Sequence, residues 1–133
     1  MSGAELDLAS GGGRLELTAS ARWVGPDLLV CIQGGEKPHL GAVAVAQPRP
    51  SLAEPARTSA TASVFTFPGH KEDLLARQAA LELAAALEAK VVVTAGAHWD
   101  GLGEAEIGQV MRNASRLVER LIQALAGGRE AAS

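Results

Sequence analysis

The chain has 133 residues, of which 47% are hydrophobic and 20% charged, and it carries a net charge of −3. This composition indicates one folded domain with an apolar core, unlike a disordered chain. The negative charge argues against a nucleic-acid-binding surface, and no apolar run approaches the ~20 residues of a membrane-spanning helix.

The first part of the chain predicts a flexible N-terminal segment followed by two strands. Residues 1–13 are small and polar and end in three glycines, so we expect a flexible N-terminal segment. Residues 14–20 alternate between apolar and polar side chains, which is typical of a half-buried strand. Residues 27–33 are apolar on both faces, so both faces of this second strand must pack against other parts of the protein or a partner. The only cysteine, Cys31, lies here; it suits a reducing, cytoplasmic compartment and a small buried side chain.

The middle of the chain predicts two further strands and a helix. Residues 40–46 form a short apolar run, and residues 47–59 contain three prolines that indicate an exposed loop. Residues 60–67 alternate and predict a fourth strand, with Phe65 and Phe67 in the core. A helix with an apolar stripe begins near His70.

The last part predicts a fifth strand over residues 90–97 and a helix over residues 103–126, followed by a flexible tail over residues 127–133. The order ββββαβα predicts an α+β domain over residues 14–126. We expect a single, mostly antiparallel five-stranded sheet with two helices on one face. Because two strands are apolar on both sides, the other face needs a cover, either the N-terminal segment or a second subunit, and we expect a homodimer.

The three histidines lie in three loops next to strand ends. His39, His70 and His98 each stand in a stretch that contains glycine or proline together with charged residues. If the strands lie side by side, these loops meet at one edge of the sheet. This edge is the predicted functional site.

The residue types at this edge favour binding of a phosphate-bearing cofactor or metabolite. His70 lies between Gly69 and Lys71 at a helix start, where free backbone N–H groups attract anions. The turn around Gly101 opens the next helix and offers a second anion site. Trp99 offers a flat ring for stacking.

Other interpretations of the same residues remain open. His39, His70 and His98, with Asp100 or Glu72, could bind a divalent metal in a small hydrolase or lyase. No closely spaced ligand pair supports that alternative. A third possibility is an assembly module without a small ligand, in which Asp100 caps a helix and Trp99 belongs to the core.

The stretches KPHLGAV (residues 37–43), PGHKED (residues 68–73) and GAHWD (residues 96–100) give the chain a family resemblance. It resembles the LpdD-like proteins, small partners of the UbiD-type decarboxylases that use prenylated flavin. The resemblance implies a dimer with a fold like that of proteasome-assembly chaperones. It also implies a non-catalytic role, in which the protein binds reduced prenylated FMN and delivers it to an apo-decarboxylase. The cofactor-binding residues within or beside these stretches would be His39, Gly69, His70, Lys71, His98, Trp99, Asp100 and Gly101.

Overall fold

A computed structural model describes residues 5–67 and 72–132, with side chains as far as residue 126. The elements in chain order are β1 (Glu5–Ser10), a 3-10 turn (Gly13–Leu15), β2 (Leu17–Val24), β3 (Asp27–Gly35), β4 (Ala42–Pro50), β5 (Thr58–Thr66), α1 (Asp73–Leu87), β6 (Val91–His98) and α2 (Glu104–Ala132). No described helix combines the length and apolar character that a membrane span requires.

The sheet has six strands in the order β1-β2-β3-β6-β4-β5, and it is mixed. β3 and β6 are parallel, and every other neighbouring pair is antiparallel. The predicted five-stranded, mostly antiparallel sheet was therefore wrong on two points. It missed β1, which lies in the segment expected to be flexible, and it missed the parallel pair in the middle of the sheet.

α1 is the crossover that brings β6 into the middle of the sheet. β5 and β6 lie on either side of β4 and run in the same direction, so the chain needs a crossover to pass from one to the other. α1 provides this crossover and packs on β4, β5 and β6. β6 then pairs with β4 on one side and with β3 on the other, and it joins the two halves of the sheet.

Both helices contribute to a core on one face of the sheet. Leu17, Val30, Val93, Leu83 and Leu117 are all less than 2% exposed. Where α1 crosses β4 the contact is made by small side chains, since alternate residues of β4 and one stripe of α1 are alanines. These buried alanines are Ala42, Ala44, Ala46, Ala76, Ala79 and Ala80. Small residues on both sides allow close packing of the helix on the sheet.

The opposite face of the sheet, which we call the open face, is covered by none of the described elements. Leu29, Val45 and Phe65 on this face are 40%, 52% and 60% exposed. Cys31 is partly buried rather than fully buried. The prediction that Phe65 and Phe67 belong to the core was wrong, because Phe67 is also 39% exposed.

Several element ends differ from those that the sequence predicted. β4 continues through Pro48 to Pro50, where it pairs only with β5 and tolerates proline as an edge strand does. α1 begins at Asp73 rather than near residue 70, and it ends where Glu88 adopts a left-handed conformation with φ of 51°. α2 does not stop before the glycines at residues 127–128 but continues to Ala132.

Candidate functional site

One edge of the sheet gathers the ends of its central strands. β3 and β6 both end there, β4 begins there, and β5 ends there. The loops over residues 36–41 and 99–103 and the start of α1 therefore meet at one end of the molecule, which we call the loop edge. It contains His39 and His98. The predicted site residues Gly69, His70 and Lys71 lie outside the described residues.

Two glycines let the segments of the loop edge approach one another closely. A Cβ atom on Gly96, within β6, would overlap the carbonyl oxygen of His39. A Cβ atom on Gly41 would overlap the carboxylate of Glu72. Because only glycine leaves this space, these two positions determine how closely the loop over residues 36–41 lies against β6 and α1.

His39 and Glu72 form an enclosed polar pair at the start of α1. Nε2 of His39 lies 2.9 Å from Oε1 of Glu72, and the two side chains are 24% and 13% exposed. Nδ1 of His39 lies 2.8 Å from the carbonyl oxygen of Lys37, so Nδ1 carries a proton and donates it. Oε1 also accepts a hydrogen bond from the N–H of Ala97 at 3.4 Å, so the pair joins the loop to both α1 and β6.

His98 and Asp100 form a second pair, which is open to solvent. Nε2 of His98 donates to Oδ1 of Asp100 at 3.0 Å, and the side chains are 46% and 71% exposed. This hydrogen bond, followed by the positive charge of Lys37, lowers the pKa of Asp100 below its ordinary value of 3.8. Asp100 is therefore a stable negative charge at the rim of the loop edge.

Arg14, from the 3-10 turn, connects several parts of the loop edge. Its guanidinium lies 3.4 Å from Oε1 of Glu36 and 2.9 Å from Oε2 of Glu106, and it donates to the carbonyl oxygen of Asp100 at 2.7 Å. Glu36 accepts a hydrogen bond from the N–H of Asp100 at 2.9 Å, and its own N–H donates to the carbonyl oxygen of His98 at 2.8 Å. Each exposed ion pair contributes only about 0–1 kcal/mol, so the network mainly positions the loops.

Trp99 lies in the core beneath this network. Its side chain is 7% exposed, and its Nε1–H donates to the carbonyl oxygen of Arg14 at 2.6 Å. The ring therefore presents no open face on which a ligand could stack, which corrects the role expected from the sequence.

The start of α2 is also less suited to an anion than the sequence suggested. Gly101 has a φ of +69°, a conformation that favours glycine, and the chain then enters the helix. The N–H of Gly103 already donates to Oε1 of Glu106 at 3.2 Å. Glu104 and Glu106 add two carboxylates to the first turn, so this helix start is occupied by the chain's own acidic groups.

The loop edge also has exposed apolar side chains. Leu40 is 58% exposed and Phe67 is 39% exposed. They flank Gly41, whose carbonyl oxygen accepts a hydrogen bond from the N–H of Phe67 at 2.9 Å. The loop edge thus combines charged groups with an apolar surface, a combination typical of sites that bind organic cofactors.

Among residues 5–67 and 72–132, no three His, Cys, Asp or Glu side chains are grouped so that they could hold a metal ion. His39 and His98 pair with different carboxylates, Glu72 and Asp100. The described part of the loop edge therefore supplies two separate acid–base pairs, and His70, the third histidine of the metal-binding alternative, lies outside the described residues.

Comparison with models of known families shows to which family this chain belongs. The family model described as "Prenylated flavin chaperone LpdD-like domain" matches residues 11–126. The chain belongs to this family. The match covers β2 to β6 and most of α2, and it confirms the resemblance noted in the sequence.

Solved structures show which fold this LpdD-like domain has. It resembles a chain of the structure titled "Crystal Structure of a Novel Chaperone Complex for Yeast 20S Proteasome Assembly", with a TM-score of 0.55 and 11% identity. The likeness covers 91% of this chain and 94% of that one. At this identity it supports the fold alone. No curated protein is similar enough to count as a match.

The sequence did not identify every residue that shapes the loop edge of this LpdD-like domain. Arg14 was missed because its partners, Glu36 and Asp100, are far from it along the chain. Glu72 was noted at a helix start, but its contact with His39 depends on how β4 and α1 meet. A local signal for this approach did exist, since Gly96 interrupts an otherwise regular strand pattern.

Proposed function

We propose that the protein is a non-catalytic chaperone that binds reduced prenylated FMN and delivers it to an apo-decarboxylase of the UbiD type. The observation that carries this proposal is the match of residues 11–126 to the LpdD-like family. We further propose that the protein acts in the cytoplasm as a homodimer.

The chemistry of the loop edge supports a binding role. Leu40 and Phe67 offer an apolar surface for the ring system and prenyl group of the cofactor. His98 and Asp100 add exposed polar groups to the same loop edge. The most enclosed acid–base pair, His39 with Glu72, is used to hold the loop over residues 36–41 in place. This arrangement suits a site that holds a molecule without changing it.

The cofactor phosphate is proposed to bind near the start of α1. The free N–H groups and the dipole of a helix start attract anions, and Gly69, His70 and Lys71 precede this helix in the sequence. Both helix starts carry carboxylates, Glu72 and Asp73 at α1 and Glu104 and Glu106 at α2, but only α1 follows a His-Lys pair directly in the sequence. The start of α2 is the weaker candidate, because Glu106 also accepts the hydrogen bond from the N–H of Gly103.

Anaerobic titration calorimetry with reduced prenylated FMN tests the binding step. We expect saturable binding to the full chain, weakened about tenfold or more in the double variant His70→Ala/Lys71→Ala and less in His98→Ala. Arg116→Ala is the control, because Arg116 is exposed on α2 and about 18 Å along that helix from its start. Absence of saturable binding to the wild-type chain would refute the proposal.

A transfer assay tests delivery separately. Loaded protein is mixed anaerobically with an apo-decarboxylase of the UbiD type, and decarboxylation is compared with that produced by the same amount of free cofactor. We expect faster or more complete activation with the loaded protein. If the protein binds the cofactor but gives no gain in activation, it is a flavin-binding protein, and the delivery role is contradicted.

A further inference from the structure

β5 is an edge strand of the sheet, and one of its two sides pairs with no described strand. β4 lies on its other side. The N–H of Phe67 donates to the carbonyl oxygen of Gly41, so by the antiparallel register the odd-numbered residues of β5 bond to β4. The backbone N–H and C=O groups of the even-numbered residues, among them Ala62 and Val64, therefore point away from the sheet. We call this unpaired side of β5 the free edge.

β5 lacks the features that usually protect an edge strand. Its nine residues, Thr58–Thr66, include no charged side chain, no proline and no glycine. The opposite edge of the sheet differs. β1 has only six residues, carries Glu5 and Asp7, and the carbonyl oxygen of Ala9 accepts a hydrogen bond from Arg120 of α2. The sheet is thus protected at β1 and open to pairing at β5.

α1 lies beside the free edge and adds side chains to it. α2 packs on β1 and β2 whereas α1 packs on β4, β5 and β6, so the side of α1 that faces away from α2 lies toward the free edge. Ala79 and Glu82 line the groove between the two helices. With about 3.6 residues per turn, Leu74 and Arg77 lie on the opposite side of α1. Leu74 is 60% exposed, and Arg77 is exposed and forms no ion pair with a described residue.

These features define the chemistry of a segment that fits the free edge. Its backbone must be extended, because an extended strand places its own N–H and C=O groups opposite those of β5. The side chains that it directs toward α1 meet Leu74 and Val64, which is 37% exposed, so apolar side chains fit there. A carboxylate beside them would pair with Arg77.

The end of β5 connects the free edge to the loop edge. β5 ends at Thr66, and the next residue, Phe67, belongs to the exposed apolar surface of the loop edge. A strand bound along β5 therefore brings its own protein to the place where the cofactor is proposed to bind. An apo-enzyme that receives the cofactor must reach the same place.

We propose that the free edge of β5 binds an extended segment of the apo-decarboxylase, which adds a further strand to the sheet. The segment directs apolar side chains toward α1 and a carboxylate toward Arg77. The inference rests on the proposed function and deepens it by naming the surface on which the enzyme docks. Flavin binding stays at the loop edge, so the two can be tested separately.

Anaerobic calorimetry of the full chain with an apo-decarboxylase of the UbiD type tests the docking surface. Val64→Pro removes an outward N–H and keeps the hydrogen bonds of β5 to β4, as proline does in edge strands. We expect it to weaken enzyme binding about tenfold or more, while the matched control Val64→Ala, which keeps the N–H, has a smaller effect.

Reversal of one charge tests the proposed carboxylate without changing the strand. Arg77→Glu should weaken enzyme binding because it places two negative charges together, whereas Arg116→Glu, at an exposed position of α2, should not. All four variants should keep the wild-type circular dichroism spectrum and the wild-type affinity for reduced prenylated FMN. A wild-type chain that binds the flavin but not the apo-enzyme would overturn the inference and leave flavin binding intact.

Hydrogen exchange, followed residue by residue, gives an independent readout of strand addition. The apo-enzyme should slow exchange at the outward amides of Ala60, Ala62 and Val64. The amides of Thr61 and Ser63 already bond to β4, so their exchange should not change. Enzyme binding without this alternation, or equal binding by Val64→Pro, would overturn the assigned edge. Self-association of the wild-type chain that Val64→Pro abolishes would assign the free edge to a second copy instead.

Discussion

Gly96 and Gly41 show how single residues shape the loop edge. At each position the space that a side chain would fill is taken by another segment, the carbonyl of His39 or the carboxylate of Glu72. Neither glycine has the positive φ that usually explains a glycine, so close approach of another segment is the reason for both.

Gly96→Ala should destabilise the protein through this crowding. The new methyl group would overlap the backbone of His39, which cannot move aside by changing a rotamer. We expect the free energy of unfolding to fall by about 1–3 kcal/mol or more, measured by urea denaturation. Gly103→Ala is the control, because a Cβ atom there meets nothing within 4 Å. Equal effects of the two substitutions would contradict this account.

The pair of His98 and Asp100 gives a prediction for pH dependence. The pKa of Asp100 is lowered chiefly by the hydrogen bond from His98, so the folded state favours the ionised carboxylate. This contribution to stability is complete above the unfolded-state value, about 3.9 for aspartate, and is lost as the pH falls through the lower pKa of the folded state.

His98→Ala should therefore raise the pKa of Asp100 toward its ordinary value. The measurement is an NMR titration that follows the carboxyl carbon of Asp100 in both proteins. Lys37→Ala should raise the same pKa by a smaller amount, since its charge is the second cause. An unchanged titration in His98→Ala would show that the hydrogen bond seen at 3.0 Å does not persist in solution.

At the scale of elements, α2 holds the segment between β1 and β2 in place. Asn113 is 2% exposed, and its Nδ2 donates to the carbonyl oxygen of Leu15 at 2.9 Å. Its Oδ1 accepts from Gln109 at 2.8 Å, and its side chain occupies the space above Gly11. Arg120 extends this contact, because its guanidinium donates to the carbonyl oxygen of Ala9.

Asn113→Ala should loosen this connection. The substitution leaves the carbonyl of Leu15 without its hydrogen bond and opens a gap next to Gly11, so we expect the free energy of unfolding to fall by about 1–3 kcal/mol. Hydrogen exchange should increase in β1 and in the 3-10 turn more than in β6. Ser115→Ala, at an exposed position of the same helix, should change neither quantity. Unchanged exchange in β1 would argue against the role of Asn113.

Most single elements could be predicted from the sequence, because each is encoded by a local pattern. The continuous apolar run over residues 28–32 predicted β3, and Leu28, Val30 and Ile32 within it are buried as one row. β1 was missed because it is only six residues long and stands beside three glycines. Leu6 and Leu8 of β1 pack against the core because β1 pairs with β2. This pairing cannot be read from the local sequence pattern.

At the scale of the whole molecule, the sheet order could not be predicted in the same way. Pairing of Leu28 with Val91 and of Ala46 with Val91 joins segments that are distant in the chain. Nothing near either segment specifies the other as its neighbour. The meeting of His39 and His98 at one edge was expected, whereas the role of Arg14 depended on contacts across the whole domain.

The central position of β6 has a consequence for how the protein is made. β1, β2 and β3 form one antiparallel unit, and β4 and β5 form another, but nothing joins these units until β6 lies between them. On the ribosome, both inner edges stay unpaired until residues 91–98 have left the exit tunnel. The nascent chain therefore exposes two open strand edges between the emergence of β4 and that of β6, and this is the period in which it is most prone to aggregate.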